Sequence, residues 1–441
     1  MRKSDELLGR ALRKMPGGGC AGGRIHRVLE RPLYLKKAAG SHIVTVDGEE
    51  YIDYHCGAGG ILFGFDHPRL KDAIQECVEK GFFMNFDSDY TLEFAELFTK
   101  LVPTVEKIRL TNSGTEATMA AIRLARAYTG RDLILKMDGH FHGMHEMIWY
   151  NGGVGTDLDE YGESRNVIPE TPGFPQGAES HVKLIEFNNP YAVERVFEKY
   201  KGRIAAVIME PVNYDCGCVP STKKYMKRVR QLCSREETLL IFDEVISGLR
   251  FRPGSAQGYY GVQPDLSTFA KAVANGFSLA LIGGKTEIMD LLNPVGPVVC
   301  SGTSSGNLMS VMAGIECLKM ALEPEFYDRI EETERILCGG IDDLFRKHKM
   351  PGHVRSHGAQ FALYFGYEDP ELDYTLSETV KRFRPDLYRQ FVKECLAEHL
   401  YFYYGGDKPF PHHCGFTSAH TKEDVAITLE KIDKIFKKMK F

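Results

Sequence analysis

The feature that most constrains the fold of this chain is a series of short, mainly apolar runs between residues 107 and 284. The runs are rich in leucine, isoleucine and valine, and they cover residues 108–110, 133–135, 182–185, 204–209 and 239–242. Segments with helical patterns separate them. Such runs predict strands that are buried on both faces of a mainly parallel sheet covered by helices. The sequence therefore predicts an α/β protein.

The remaining segments predict a smaller α+β domain beside that sheet. Residues 39–54 alternate around Val46-Asp47-Gly48, which predicts two strands joined by a turn outside the central sheet. A helical stretch at 308–322 is followed by strand patterns at 361–365 and 400–403 and by a closing helix at 421–439. We expect residues 1–60 and 321–441 to form the smaller domain and residues 61–320 to form the large one.

Charge and composition indicate the class of partner. The net charge is -5 over 441 residues and no long basic run occurs, so neither nucleic acid nor an anionic membrane is expected. The first ten residues predict an amphipathic helix, unlike a secretory leader, and no apolar stretch approaches membrane-spanning length. The 11 cysteines are scattered, as in reduced intracellular proteins. We expect a cytoplasmic protein that acts on small molecules without a metal.

Asp243 and Lys271 together indicate a cofactor. Asp243 ends the most apolar run, and Lys271 follows it by the length of one crossover. A lysine amine can form a Schiff base with an aldehyde, and a buried carboxylate needs a positively charged partner. Pyridoxal phosphate supplies both an aldehyde and a pyridine nitrogen. Each residue alone has a simpler interpretation, a surface charge or a strand end, but the pair predicts a pyridoxal phosphate site with Lys271 as its catalytic residue.

A motif upstream supports this interpretation. Ser113, Gly114 and Thr115 lie between a predicted strand that ends at Thr111 and a helix that runs to about Tyr128. Backbone N–H groups and the helix dipole favour a phosphate at such a position. The alternative is an ordinary helix cap, because serine and threonine are favoured there in any case. The turn at residues 301–307 is a second glycine-hydroxyl loop that allows either interpretation.

The segment after residue 137 offers contacts for a flat ring. Glycines flank His140-Phe141-His142, so the chain can turn sharply and present the aromatic ring of Phe141. His142 is a second candidate for ring contact or local hydrogen bonding. Val245, two residues beyond Asp243 in an extended strand, would point to the same side and press on the other ring face.

A long irregular segment follows. Residues 151–177 are rich in glycine, proline and acidic residues, and they are too many for a simple connection. Loops of this length are usually lids, binding loops or disordered segments. We expect a lid that begins beside Tyr150, with a disordered segment as the alternative.

Taken together, these segments resemble the class III, fold type I pyridoxal-phosphate aminotransferases, and most closely the group around glutamate-1-semialdehyde 2,1-aminomutase. The resemblance extends over nearly the whole chain. Its motifs lie at residues 16–18, 46–48, 51–54, 64–68, 112–117, 121–126, 210–212, 242–245, 256–261, 264–266 and 301–307. This resemblance implies a fold type I transferase with a mainly parallel sheet in its large domain.

The resemblance also implies roles for single residues. It assigns phosphate binding to residues 113–115, ring stacking to Phe141, pairing of the ring nitrogen to Asp243 and Schiff-base formation to Lys271. The cofactor-binding set that we predict further includes His142, Glu210, Asp215 and Val245.

Other implied roles concern the substrate and a second subunit. The resemblance implies a homodimer with shared active sites, in which Thr303 reaches the phosphate of the neighbouring subunit. It matches Arg24 to an arginine that contacts the substrate carboxylate. We expect Tyr150 and His413 to contact the substrate as well.

The chain departs from the family pattern at three places. Ala270 and the run 272–276 give Lys271 bulkier neighbours than the usual glycines. Asp215 replaces an asparagine that lies near the phenolic oxygen of the cofactor. His413 replaces a glutamate that the aminomutases carry before Ala-Gly-Phe, which weakens the semialdehyde assignment.

The sequence favours a transaminase that moves an amino group between an amino acid or amine and a keto acid through a pyridoxamine phosphate intermediate. Arg24 and the aromatic run 401–404 suggest a carboxylated donor that is aromatic or a β-amino acid. An aminomutase and an amino-acid racemase or epimerase would use the same residues. A cofactor-binding protein without activity is a further alternative, which the retention of Asp243 and Lys271 disfavours.

Overall fold

The structure is a computed structural model that describes residues 2–367 and 375–439. Its largest element is a seven-stranded sheet that contains all the apolar runs. From one edge to the other, the strands are Val182–Ile185, Leu133–Met137, Ile204–Met209, Leu239–Glu244, Leu266–Phe269, Ala280–Gly284 and Lys107–Thr111. Among them, Ala280–Gly284 runs antiparallel to both neighbours. The prediction of a mainly parallel α/β sheet is confirmed.

Helices cover this sheet because small and apolar residues line their inner faces. Gly114–Thr129 buries Ala117, Ala120 and Ala121, whose short side chains let the helix lie close to the strands. Other helices of this region are Pro68–Lys80, Asp89–Leu101, Pro190–Lys199, Lys223–Arg235, Ser255–Tyr260, Thr286–Met289 and Leu308–Ala321. Within residues 2–367 and 375–439, no helix is both long and apolar enough to cross a membrane.

The two ends of the chain share a smaller sheet. Its strand order is Leu400–Tyr401, Glu50–Asp53, His42–Thr45 and Leu35–Ala39. A three-stranded sheet beside it contains Gly352–His357, Gln360–Phe365 and His413–Gly415. The helices of these chain ends are Lys3–Ala11, Phe326–Lys347, Leu376–Arg382, Pro385–Ala397 and Lys422–Lys438. The predicted domain boundaries themselves remain a prediction.

Short elements complete the chain. Two-residue strands occur at Ile25–His26, Arg31–Pro32, Tyr150–Asn151, Ile168–Pro169, Val212–Asn213 and Val219–Pro220. Short helical turns occur at Pro16–Gly18, Gly22–Arg24, Cys56–Gly59, Ala178–His181 and Lys271–Ala274.

Asn275 joins the loop of Lys271 to the N-terminal part of the chain. It ends the turn Lys271–Ala274 in the left-handed conformation, with φ of 47°. Its Oδ1 accepts hydrogen bonds from the backbone N–H groups of Leu62 at 2.8 Å and Phe63 at 3.0 Å. Its Nδ2 donates to the carbonyl of Gly64 at 2.8 Å. These buried bonds fix the backbone that carries Lys271.

The segment 151–177 is folded and attached to the end of a central strand. The carboxylate of Asp138 accepts hydrogen bonds from the N–H groups of Gly152 and Gly155, each at 2.7 Å. Oδ1 of Asn151 accepts from the buried Nζ of Lys136 at 2.9 Å and from the N–H of Gly139 at 2.8 Å. These bonds attach the start of the segment to the end of the strand Leu133–Met137.

Candidate active site

The predicted cofactor residues meet at the carboxyl edge of the parallel strands. Asp243 and Glu210 lie at the ends of adjacent strands, and Lys271 and Ser113 follow two further strands. They line a cavity of about 280 Å³. Ligands of open α/β sheets bind at this edge. The predicted residues in the cavity wall are Ser113, Gly114, Thr115, Phe141, His142, Glu210, Asp215, Asp243, Val245 and Lys271.

The helix Gly114–Thr129 contributes its N terminus to this cavity. Ser113 is the N-cap residue, and its Oγ accepts a hydrogen bond from the N–H of Glu116 at 3.2 Å. Ser113 is therefore a helix cap as well as a cavity residue. The first-turn N–H groups and the helix dipole make this end of the helix suitable for a phosphate.

Asp243 is held from several sides. Its Oδ1 accepts hydrogen bonds from the N–H of Val245 at 3.0 Å and from the hydroxyl of Thr268 at 3.1 Å. Its Oδ2 lies 2.8 Å from Nδ1 of His142. Burial lowers the pKa of His142 although the carboxylate raises it, so a neutral imidazole is favoured. The bonds fix the orientation of a carboxylate that lines the cavity.

Two apolar side chains provide walls for a ring. Phe141 is 42% exposed and lies in the wall, and its backbone N–H donates to Oε1 of Glu210 at 3.1 Å. Val245 also lies in the wall. The strand ends at Glu244. The orientation of the Val245 side chain is therefore set by the turn in which the N–H of Val245 donates to Asp243, and not by the strand alternation that we expected.

Lys271 lines both this cavity and a larger one beside it. Its φ of 53° is unusual for a residue with a side chain, and such conformations often occur at functional sites. Burial lowers the pKa of the Lys271 amine, and nearby carboxylates, Asp215 first, oppose that shift. A lowered pKa increases the share of neutral amine, which is the form that accepts a proton or attacks an aldehyde.

Glu210 is a buried acid close to other acids. Burial raises its pKa well above the usual value, and the negative charges of Asp215 and Asp243 add to this effect. The raised pKa favours the protonated, uncharged form of the Glu210 carboxyl. Its Oε1 fixes the backbone of Phe141, so its contribution to the cavity includes orienting that aromatic wall.

The larger cavity has a volume of about 710 Å³ and lies on the other side of Lys271. Aromatic rings form much of its wall: His55, His140, Phe141, Trp149, Tyr403, Phe410, His412 and His413. Charged side chains in its wall, besides Lys271, are Arg27, Glu170, Asp215 and Lys408. The segment 151–177 contributes Asn151, Val154 and Glu170, as expected of a loop that covers a site.

His55 and Tyr403 form a flat part of this wall. Their rings stack with centroids 4.6 Å apart and an interplanar angle of 19°. Burial lowers the pKa of His55 to about 3, and the charges of His413, His26 and Lys271 act in the same direction. His55 is therefore neutral at pH 7 and presents an uncharged ring to the cavity.

Two of the predicted substrate contacts lie outside the walls of both cavities. Among the described residues that form the two cavities, Tyr150 and Arg24 do not occur. Tyr150 is fully buried, donates its hydroxyl to the carbonyl of Glu146 at 2.8 Å and packs against Phe174. Arg24 is exposed at the end of the short turn Gly22–Arg24. His413, the third predicted substrate contact, does lie in the wall of the larger cavity.

Thr303 lies on the surface in the turn at residues 301–307 and lines neither of these cavities of its own chain. The resemblance assigned it to the site of a neighbouring subunit. That role remains a prediction.

Several cavity residues were not predicted from the sequence. Arg27 lies in the wall three residues after Arg24, and Trp149 lies there beside the buried Tyr150. Lys408 and Phe410 come from the irregular stretch between two short strands. The sequence feature that indicated this wall was the aromatic run at 401–404. Within that run, Tyr403 is the residue that lines the cavity.

The two cavities suit pyridoxal phosphate in each of its parts. A helix N terminus is present for the phosphate, apolar walls for the ring, a buried carboxylate for the ring nitrogen and Lys271 for the aldehyde. When bound, this cofactor serves as an electron sink that stabilises negative charge on the substrate carbon next to the nitrogen. Fold and site together define a fold type I pyridoxal-phosphate-dependent enzyme.

Comparison with known proteins identifies the family. The model of the class III aminotransferases matches residues 25–436. Glutamate-1-semialdehyde 2,1-aminomutase of Geotalea daltonii is 35% identical over 437 residues, 99% of each chain. The protein of that name from Natranaerobius thermophilus is 36% identical over 427 residues, 96% of this chain and 95% of the relative. A crystal structure of an omega-transaminase from Sphaerobacter thermophilus superposes with a TM-score of 0.89 at 27% identity, covering 99% and 97% of the two chains.

This chain therefore belongs to the class III aminotransferase family. It is an enzyme of that family, and its cofactor is pyridoxal phosphate.

Gly114 offers a test of the phosphate-binding end of the site. A Cβ at this position would lie 3.0 Å from Cγ2 of Val245. Overpacking of this kind costs about 1–3 kcal/mol, so Gly114→Ala is expected to raise the dissociation constant of pyridoxal phosphate by roughly tenfold or more. Titration of the apoenzyme with the cofactor measures this constant.

The control for this variant is Gly339→Ala, because a Cβ at Gly339 would meet no atom of the described residues within 4 Å. Its dissociation constant should equal that of the wild type. Adding Val245→Ala to Gly114→Ala removes the clash and should recover part of the affinity. Unchanged cofactor affinity in Gly114→Ala would contradict the predicted placement of Gly114 and Val245 against the cofactor.

Proposed function

We propose that this protein is a transaminase that takes the amino group from a bulky, carboxylated amino acid, aromatic or β-amino, and passes it to a keto acid. The observation that carries the proposal is the cavity of about 710 Å³ beside Lys271, which combines aromatic walls with the cations Arg27 and Lys408. Small-molecule sites are mostly apolar cavities with a few polar groups that fix orientation. A small, flexible donor would leave much of this cavity unfilled.

The charged groups support a carboxylated donor. A guanidinium binds a carboxylate through two parallel hydrogen bonds, and it stays charged at any working pH. Arg27 takes the role for which the sequence favoured Arg24. The backbone N–H of Arg27 donates to the carbonyl of Tyr404 at 3.0 Å, so this arginine is attached to the aromatic stretch that forms the cavity wall.

Lys271 is the group that we propose for proton transfer. Its amine lies between the two cavities, so it can reach both a cofactor and the carbon of a donor. Burial lowers its pKa, which suits a group that must accept and return a proton near neutral pH. Asp243 and Phe141 orient the cofactor while Lys271 moves the proton.

Glutamate-1-semialdehyde 2,1-aminomutase activity is the second candidate. The observation in its favour is the name of relatives that are 35% and 36% identical over nearly the whole chain. A mutase must retain its intermediate between the two half-reactions, and the segment 151–177 at the cavity is suited to that task. The pairing of His413 with Asp215 in the larger cavity favours the transaminase, because the aminomutases carry a glutamate at the position of His413.

One experiment separates the two candidates. The holoenzyme is mixed with single substrates, namely aromatic α-amino acids, β-amino acids, amines and glutamate 1-semialdehyde, in the absence of any keto acid. A transaminase loses its visible cofactor absorbance lastingly and releases a stoichiometric amount of keto product. A mutase shows a transient change, and glutamate 1-semialdehyde is converted to its isomer without a second substrate.

We further propose a homodimer and a cytoplasmic location. The exposure of Thr303 supports a role for this residue in the site of a second subunit. Light scattering of the holoenzyme tests the dimer, and mixing Thr303→Ala subunits with Lys271→Ala subunits tests whether the sites are shared.

Arg27→Ala is expected to raise KM for carboxylated donors by roughly 10- to 100-fold. A hydrogen bond to a charged group contributes about 1.5–3 kcal/mol, and about 1.4 kcal/mol corresponds to a factor of ten. The KM of amines without a carboxylate should stay the same. Steady-state kinetics with matched donor pairs measure the difference.

Arg24→Ala is the matched control, since Arg24 is an arginine of the same segment outside the cavity wall. It should leave KM unchanged for both kinds of donor. If Arg24→Ala raised KM for acids and Arg27→Ala did not, the family-derived assignment would hold and the assignment to Arg27 would fail.

A further inference from the structure

Asp215 and His413 come from distant parts of the chain and meet in the wall of the larger cavity. Nδ1 of His413 lies 3.3 Å from Oδ1 of Asp215. His413 begins the strand His413–Gly415, which pairs with Gln360–Phe365. The side chain of His413 is 13% exposed and that of Asp215 is 32% exposed, so water screens the contact less than it screens a fully exposed pair.

The backbone on both sides of Asp215 is fixed. The hydroxyl of Tyr214 donates to the carbonyl of His357 at 3.2 Å. The N–H of Cys216 donates to Oδ1 of Asn213 at 3.2 Å, and its Sγ contacts the carbonyl of Gly139 at 3.2 Å. Asp215 is therefore held between two anchored residues, and the pair with His413 is part of a rigid wall.

Lys271 is the third member of this arrangement. Asp215 and Lys271 both line the two cavities. Besides Asp215, the groups that act on Lys271 are the acids Glu210 and Asp243 and the cation Arg250. Lys271 in turn lowers the pKa of His55. Further groups also act on Asp215 or respond to its charge. They are Lys408, Glu210, His140, His142, His412, Cys216, Cys218 and Tyr403. His413 also lowers the pKa values of His55 and His412.

The charges of these three side chains are linked. Burial raises the pKa of the Asp215 carboxyl, but the hydrogen bond and charge of His413, followed by Lys271 and Lys408, lower it below the usual value. Burial lowers the pKa of the Lys271 amine, and Asp215 exerts the largest opposing effect. His413 therefore acts on Asp215, and Asp215 acts on Lys271.

We propose that His413 is a positioning residue that holds the Asp215 carboxylate ionised and oriented beside Lys271, so that the pair controls the protonation of the lysine nitrogen. The inference goes beyond the proposed function. It rests on Lys271 as the cofactor-binding amine and holds equally for a transaminase and a mutase. The pair gives a role to two of the three places at which the chain departs from the family pattern.

The test is a pH titration of the visible absorbance of the holoenzyme, which reports protonation at the lysine nitrogen and requires no substrate. Asp215→Asn is expected to shift the midpoint downward by about one pH unit, because it removes a nearby negative charge that favours the protonated form. His413→Leu, which removes the donor, should shift the midpoint in the same direction by a smaller amount. His413→Asn keeps an N–H donor and should restore most of the wild-type midpoint.

The double variant Asp215→Asn/His413→Leu decides whether His413 acts through Asp215. If it does, His413→Leu adds nothing once Asp215 is neutral, since residues of one network are not additive. An equal shift from His413→Leu in both backgrounds would mean that His413 acts on Lys271 directly, and this would overturn the proposal. No shift in His413→Leu would overturn it as well.

Two further measurements separate a change in protonation from a loss of folding or of cofactor. The thermal midpoint of each variant shows whether it is folded. The pH dependence of acetylation of the peptide that contains Lys271, measured by mass spectrometry in the apoenzyme, follows the same amine without the cofactor and should show the same order of variants. Because neither readout uses turnover, a failure here is distinct from a failure of the transaminase assignment.

Discussion

Replacing Lys271 with alanine is expected to lower kcat by on the order of 10⁴-fold, because a positioned acid–base group contributes up to about that factor. The variant also loses the only side chain of the predicted site that forms a covalent bond with the cofactor. Pyridoxal phosphate should still bind reversibly through the helix N terminus at Ser113 and the carboxylate of Asp243. Single-turnover absorbance measurements and steady-state assays give the rate.

A second buried lysine makes this prediction specific. Lys136 is fully buried, and burial lowers its pKa to about 8, but it donates to the carbonyl of Tyr150 and to Asn151 and lines neither cavity. Borohydride treatment of the wild type should therefore attach the cofactor to the peptide of Lys271 and not to that of Lys136. Attachment elsewhere, or full turnover in Lys271→Ala, would refute the assignment. Lys71→Ala, a change at an exposed lysine, serves as the control.

Asp243→Asn is expected to raise the dissociation constant of pyridoxal phosphate by roughly 10²- to 10³-fold. Removing one partner of a buried charge pair costs about 3–5 kcal/mol, and each 1.4 kcal/mol or so is a factor of ten. The amide is similar in size and can still accept from the N–H of Val245 and the hydroxyl of Thr268, so the fold should survive. Titration of the apoenzyme with the cofactor measures the constant.

The adjacent residue provides a control of the same chemical type. Glu244 is also a fully buried carboxylate, but it accepts hydrogen bonds from Ser247, Ser255 and Gln257 and lines neither cavity. Glu244→Gln is expected to lower the thermal midpoint of the protein and leave the cofactor affinity unchanged. Equal losses of affinity in the two variants would show that general destabilisation, and not the ring-nitrogen contact, causes the loss.

Much of the fold could be predicted because burial on both faces of a strand leaves a local signal. The mainly apolar runs were all strands of the central sheet, and the alternating segment near Val46 formed strands outside it. The closing helix was also visible, since Thr421 caps Lys422–Lys438 and its apolar spacing is regular. These features depend on neighbours in the sequence.

The cofactor part of the site was predictable for a related reason. Asp243 lies at the end of one strand of the sheet, Lys271 and Ser113 follow two others, and the carboxyl ends of parallel strands meet at one edge. Once the strands are placed, these residues must come close together. No knowledge of the loops is needed for this step.

The substrate side was less predictable because it is built from irregular segments. Sequence reasoning selected Arg24 and Tyr150, while the structure places Arg27 and Trp149 in the wall. In such segments no periodic pattern tells which of two nearby side chains points inward. Contacts from elsewhere decide it, such as the bond from Arg27 to the carbonyl of Tyr404.

The sequence by itself determined the α/β sheet, the class of cofactor and the residues at the strand ends, because these depend on burial patterns and on the fixed geometry of parallel strands. Only the tertiary structure decided which side chains face the donor and that His413 meets Asp215 beside Lys271. The physical reason is that these contacts join segments far apart in the chain, and their geometry depends on how the smaller sheets pack against the central one.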